Sequence, residues 1–381
     1  MSDTLPTRPV FPVALAGAAA TFSGIGLSRF AFVPLFPAMV AAGWISGPQG
    51  GLLGAFNLAG YLAGVLGGRR IGVRIGTAAT LDLGMALAVA AFAGCAWNGG
   101  LAWLCLCRFV SGLAGGTLMA LAGPAVQESV PASRRGLAGG LVVSGIGFGI
   151  MAGSTVVPTA LSHGVSATWL ALAALVAAAW LAARAAWPRA PVLVPAGRPA
   201  RAAVLVWSYG ISGAGLVPHM VYFADMAVRG RGLPAGIGPL LWLAFGAGTI
   251  AGTIVAGRAA DRFGGEPALR VWLGIQVIAL ATSLLAGAWG LYVSAFLGGF
   301  SALGLTAIAL ARARELAGPG AGSIWVRATA SFAVAQALTG FALAALFSRT
   351  GSHDEVFGSG LALSVAALAL ALARSDRPAA P

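Results

Sequence analysis

The sequence contains no lysine at all, and only ten of its 381 residues are acidic; histidine and cysteine occur three times each. Charged residues make up 9% of the chain, where a soluble domain carries about 25%. So few charges cannot cover a water-exposed surface, which excludes a soluble globular enzyme. A hydrophobic share of 59% likewise excludes a disordered chain. Cys95, Cys105 and Cys107 have no histidine or further cysteine beside them to complete a metal set. They read as small core residues, and neither a metal nor a cofactor is expected. The signatures of a membrane-embedded enzyme are missing too: there is no His-Glu-x-x-His, no pair of intramembrane aspartates and no nucleophile elbow. Long loops are lacking, which argues against a sensor or scaffold carrying a soluble domain.

What the chain has instead is long apolar runs and a mean hydropathy of +0.89. At about 20 residues per membrane-crossing helix, the length accommodates roughly twelve spans. Polar punctuation places six of them near residues 11–40, 48–68, 77–97, 101–125, 137–161 and 167–187. Six more fall near 203–227, 237–257, 269–288, 290–311, 325–347 and 356–373. Between the sets lies a proline- and arginine-rich stretch that stops helices and cannot sit in lipid. The expectation is an all-α membrane protein with an N-terminal six-helix bundle (1–187), a linker (188–202) and a C-terminal six-helix bundle (203–381). The halves also repeat in sequence, since Gly24-Ile-Gly26-Leu27 matches Gly213-Ala-Gly215-Leu216 at an offset of 189.

The net charge of +13 comes from 23 arginines. They sit in small groups between apolar runs rather than on one basic face, so no nucleic-acid partner is expected. With the N-terminus placed in the cytoplasm, 18 of the 23 fall in cytoplasmic segments; Arg229, Arg231 and Arg349 fall outside, and Arg29 and Arg108 lie within spans. This bias puts both termini inside.

An arginine at mid-membrane costs about 2.5–3.5 kcal/mol and needs a partner, a cavity or a ligand. Arg29 lies deep in the first span, ahead of Pro34 and Pro37. It either faces a central cavity and binds a substrate anion or bonds another helix. Arg108 opens the fourth span and is either a ligand or proton-site group or a hydrogen-bond hub. His219 and Asp225 occupy the seventh span. Histidine titrates in the physiological range, which suits proton coupling. Asn57 and Tyr61 are one turn apart, and Gln276 and Gln336 are single polar residues in spans nine and eleven. These four either line a cavity or bond between helices; Asn57, Tyr61 and Gln336 join Arg29, Arg108 and His219 as substrate-binding candidates. Asp82 and Glu128 are expected to pair with arginines near the cytoplasm. His163 and His353 fall at outer loops and read as solvated.

Between spans eight and nine stands Gly257-Arg-Ala-Ala-Asp261-Arg262-Phe-Gly264, a Gly-x-x-x-Asp-Arg-x-Gly pattern that resembles the loop motif of the major facilitator superfamily. Ser28-Arg29-Phe30-Ala31, Asn57-Leu-Ala-Gly60-Tyr61 and Gly215-Leu-Val-Pro218-His219-Met220 resemble its YbfB/YjiJ-like branch. The resemblance implies two six-helix bundles rocking around a midplane site, with spans 1, 4, 7 and 10 lining it and Ser301 and Thr306 as polar candidates on span 10. It also implies that Gly257, Asp261, Arg262 and Gly264 act as a conformational gate, with glycines that let helices pack closely. The equivalent stretch in the N-terminal half is read at Gly60–Arg70, with Gly64 and Val65 where the Asp-Arg pair would stand. The expected protein is a monomeric multi-pass carrier in a bacterial inner membrane. It moves a small organic anion with protons; the alternative is an exporter of amphipathic or cationic compounds, which would need a mid-depth carboxylate.

Overall fold

A computed structural model describes residues 10–131, 135–189, 202–285, 287–317 and 321–376. Helix accounts for nearly all of them, as it must where lipid offers no hydrogen bonds to an open backbone. Six helices come first: α1 (Val10–Ala41), α2 (Gly47–Ile75), α3 (Thr77–Cys95), α4 (Leu101–Ser129), α5 (Arg135–Leu161) and α6 (Val165–Ala183). The stretch 203–230 forms a broken helix, α7, made of Ala203–Gly215, Val217–Val221, Phe223–Asp225 and a π-turn Met226–Gly230. Then follow α8 (Ile237–Phe263), α9 (Gly265–Ser283), α10 (Ala288–Ala317), α11 (Ala321–Thr350) and α12 (His353–Ala373). Among the described residues, ten helices are long and apolar enough to cross a membrane. The two that fall short are α7, because it is broken, and α9, which opens with Glu266 and Arg270 in its first turns.

By contact the chain divides into two compact units, one of residues 1–35 with 59–193, the other of 36–58 with 194–381. In the first, α3 packs on α4 and α1 on α5; in the second, α8 and α9 pack on α10, and α11 and α12 pack on α7. Exposed side chains such as Phe11, Leu181, Trp207 and Leu338 are large and apolar, while Arg29, Asn57, Arg108, His219, Asp225 and Gln336 are buried. Apolar outside and selectively polar inside is the arrangement expected in lipid.

Each unit is closed by glycines that let two backbones touch. A Cβ on Gly60 would lie 2.0 Å from the Phe109 carbonyl oxygen, and one on Gly64 would lie 2.2 Å from that of Leu113. In the other unit, a Cβ on Gly248 would lie 2.0 Å from the Phe296 oxygen, and one on Gly252 would lie 2.1 Å from that of Phe300. These pairs are 188 positions apart, so the internal repeat is structural as well as sequential.

That offset corrects the register of the loop motif. Gly76 and Gly264 stand 188 apart, each before the next helix, with φ/ψ of 86/158 and 87/156. The N-terminal copy is therefore Arg69–Gly76, which keeps Arg74 and Gly76 and has Val73 where the other copy has Asp261. Gly60–Gly64 belongs to the helix contact. Nor does Gly257 bring helices together: a Cβ there would meet open space. Gly264→Ala is thus expected to destabilise by about 1–2 kcal/mol, because only glycine adopts this φ freely. Gly257→Ala is expected to stabilise by about 0.5–1 kcal/mol. Opposite shifts in thermal unfolding of the detergent-solubilised protein check the pair.

Candidate functional site

The buried arginines of the first unit sit where α1 loses its regularity. Phe22–Leu27 is π-helical, Ser28–Phe30 returns to α-helix and Ala31 is a turn. Such breaks inside a span free carbonyls and re-aim side chains. Arg108, 2% exposed, donates from Nη1 to the Ser28 carbonyl at 2.8 Å. Its guanidinium lies 4.5 Å from the Phe32 ring centroid and 6.0 Å from that of Trp169. The Ser28 hydroxyl donates to the Ser111 carbonyl at 2.8 Å and also bonds the Ser111 hydroxyl. These contacts hold the break of α1 against α4.

Arg29, 6% exposed, lays its guanidinium 4.2 Å from the centroid of the Tyr61 ring. The ring face steadies the cation. Asn57, four residues earlier on α2, is 2% exposed.

In the second unit His219 is fully buried, its Nε2 2.8 Å from the Ser294 hydroxyl. Rings of Phe223, Phe245 and Phe357 surround it at centroid distances of 4.9, 6.4 and 5.5 Å. Gln336 donates to the Met220 sulfur at 3.1 Å. Gln276 bridges helices, donating to the Ser212 carbonyl and the Ser364 hydroxyl. Ser301 bonds within its own helix, and Thr306 pairs with the Tyr209 hydroxyl at 2.9 Å.

Asp225 does not join His219. It is fully buried and accepts from Arg229 Nε at 2.5 Å and Nη2 at 2.6 Å. His353 Nε2 lies 2.8 Å from the second oxygen of Asp225. The expectation that His353 is solvated is therefore corrected: it is 9% exposed and packs on Phe347. Asp82 differs as well. Its carboxylate accepts the indole N–H groups of Trp180 and Trp187 at 2.6 and 2.9 Å, because α6 lies along α3 there.

Sequence reading missed a charge network at the end of the second unit near residue 376. Arg312 pairs with Glu266 and Glu315, Arg270 with Glu266, and Glu315 accepts the Gly265 N–H. Asp376 accepts the N–H groups of Val204 and Leu205, capping α7. Charges clustered at helix ends were the available signal. The motif residues Gly257, Asp261 and Arg262 end α8, and Gly264 follows as its cap; the Asp261 side chain lies outside the described residues, as does most of the linker at 188–202. Among the described residues, no group of three His, Cys, Asp or Glu is placed to hold a metal.

A sequence family described as the uncharacterised MFS-type transporter YbfB matches residues 21–374. The chain belongs to this family. It is thus a membrane transporter of the major facilitator superfamily. The fold agrees. The partially occluded inward-open xylose transporter XylE from E. coli superimposes with a TM-score of 0.75 at 15% identity, over 96% of this chain and 97% of that one. A D-xylose–proton symporter gives 0.73 at 16% identity, over 95% of each. No curated protein sequence matches.

Proposed function

We propose that this family member is a twelve-span, alternating-access carrier of a small organic anion in a bacterial inner membrane, coupled to protons. The two bundles are residues 1–187 and 203–381, and both termini are cytoplasmic. Counting broken α7 and charged α9 with the ten apolar helices gives the twelve spans, and the arginine bias sets the orientation. Solute then crosses by rocking of the bundles about a midplane site.

The observation that carries the substrate class is Arg29. It is a buried guanidinium at a break in α1, set against an aromatic face, and a guanidinium is the side chain best shaped to bind a carboxylate bidentately. Asn57 and Tyr61 complete the substrate side. Arg108, His219 and Gln336 are the further substrate-binding candidates. Of the two proton-coupling candidates on α7, Asp225 is favoured over His219, because it sits in an ionic cluster with Arg229 and His353. Asp261, Arg262 and the two motif glycines gate the cytoplasmic end. The fold neighbours carry xylose, which makes a neutral sugar the control substrate. An exporter of cations would want a mid-depth carboxylate, which α1, α2 and α10 do not supply.

Thermal shifts of the purified protein test this reading against small carboxylates, sulfonates, xylose and lipophilic cations, with wild type and Arg29→Ala. A ligand at 100 times its dissociation constant stabilises the folded state by about 2.7 kcal/mol. Stabilisation of wild type but not of the variant by an anion supports the proposal. A response to xylose or to cations alone overturns it.

A further inference from the structure

The second unit contains a segment from the first half of the chain, residues 36–58, and its attachment is unusual. Gly51 faces the Tyr222 hydroxyl so closely that a Cβ would lie 1.9 Å from that oxygen. Gly54 lies under Val221 in the same way, at 2.5 Å, and Gly47 lies under the Arg229 guanidinium, at 2.3 Å. Phe36 stacks edge-on against Tyr222 at 6.3 Å, and its ring lies 5.8 Å from the Arg229 guanidinium carbon. This hairpin of α1 and α2 is therefore seated on the same two turns of α7 that carry Asp225 and Arg229. Under the orientation proposed above, which this inference rests on, the contact shuts the outer end.

Beside it opens a cavity of about 440 Å³, lined among others by Pro48, Arg229, Arg231, Phe347, His353 and Asp354. His353 thus links cavity water on one side to fully buried Asp225 on the other. We infer that Asp225 and His353 form a proton-loading site reached from this cavity, and that loading it releases the hairpin and opens the outer end.

The proton balance is simple. A hydronium ion in the cavity gives a proton to His353 Nδ1 and becomes water, and the Nε2 proton passes to the Asp225 carboxylate. The carboxylate becomes a carboxylic acid and the imidazole returns to neutral. Arg229 then faces a neutral group and loses its ion pair. Its side chain is 33% exposed, so it turns toward cavity water and leaves Gly47 and Phe36. Nothing ionic on the hairpin replaces that hold. Residues 36–58 contain no titratable side chain, and neither does α8 before Arg258. The remaining charged or titratable neighbours are Tyr222 on α7, Arg231 paired with Asp354 at 2.7 Å, Glu355 on α12 and Arg349 at the end of α11. Arg231 and Asp354 satisfy each other at the rim, so they do not compete for Asp225. A histidine is the fitting relay, since either ring nitrogen can carry the proton.

The test needs no solute. Val221 is 3% exposed under the hairpin. Val221→Cys, in a chain with Cys95, Cys105 and Cys107 replaced by alanine, reports whether the hairpin lifts through its rate of reaction with a water-soluble maleimide. Rates are taken relative to a fully exposed cysteine at the same pH, which cancels the change in thiolate fraction; on that scale the purified reporter is expected to react about tenfold faster at pH 5.5 than at pH 8. Asp225→Asn, a mimic of the loaded acid, is expected to react fast at both. His353→Gln keeps an N–H for Asp225 but takes up no proton, and is expected to react slowly at both. His163→Gln, at an exposed histidine of the first unit, is expected to behave as the parent. A parental pH response in His353→Gln, or slow reaction of a well-folded Asp225→Asn, overturns the inference. If the labelling follows expectation while no solute is carried, the transport reading fails and the proton site stands.

Discussion

Gly252→Leu is expected to prevent assembly of the C-terminal half, and Gly64→Leu that of the N-terminal half. Both glycines meet backbone, not side chain. A Cβ on Gly252 would lie 2.1 Å from the Phe300 oxygen and 2.5 Å from its Cα. At Gly64 the obstacles are the Leu113 oxygen at 2.2 Å and the Thr117 nitrogen at 2.8 Å. Neither can be relieved by a rotamer change, so the helices must part along their length. Overpacking a side-chain site costs about 1–3 kcal/mol. Parting two helices also forfeits their neighbours, here the stacking of Trp272 on Phe300 at 5.4 Å, so the expected loss exceeds about 4 kcal/mol. The readout is the monodisperse fraction of detergent extracts on gel filtration, followed by thermal unfolding. Gly257→Leu is the control, because open space surrounds that position. If Gly252→Leu and Gly257→Leu extract and melt alike, close approach does not hold the unit together.

The comparison of these three glycines also shows what the sequence could and could not convey. Apolar runs broken by arginine and glycine revealed the helices, because lipid leaves the backbone no alternative. The matched Gly-x-Gly-Leu pieces revealed the repeat. They did not reveal which glycines touch and which turn, since a Gly-rich stretch is compatible with both. Only the paired dihedrals of Gly76 and Gly264 place the N-terminal loop motif at Arg69–Gly76. The candidate sites divide in the same way. Arg29 and Arg108 were visible because charge in an apolar run is costly wherever it points. Their different surroundings were not visible, as the Ser28 carbonyl is freed only by a local π-helical turn. Asp225 stood out, yet its partner His353 lies 128 positions away and begins a helix after a short loop. Polar residues in such a loop read as solvated, and only the packing of α12 on α7 turns this one inward.

If Arg29 meets the solute, geometry rather than charge alone is expected to matter. Arg29→Lys keeps the positive charge but replaces a planar fork of donors with a single ammonium. A hydrogen bond to a charged group contributes about 1.5–3 kcal/mol, so losing one arm of a bidentate pair weakens anion binding roughly 10- to 100-fold. Tyr61 sharpens the prediction. Its ring centroid lies 4.2 Å from the Arg29 guanidinium carbon, and this face, not the hydroxyl, holds the cation in place. Tyr61→Phe is therefore expected to bind the anion as wild type does. Tyr61→Leu removes the face and is expected to weaken binding by about 0.5–2 kcal/mol through loss of orientation. Isothermal titration with the anion that stabilises the wild type distinguishes the outcomes. A dissociation constant unchanged in Arg29→Lys but raised in Arg29→Ala would make the site a diffuse positive charge. One unchanged in both would place recognition away from α1 and leave Arg29 as a structural arginine.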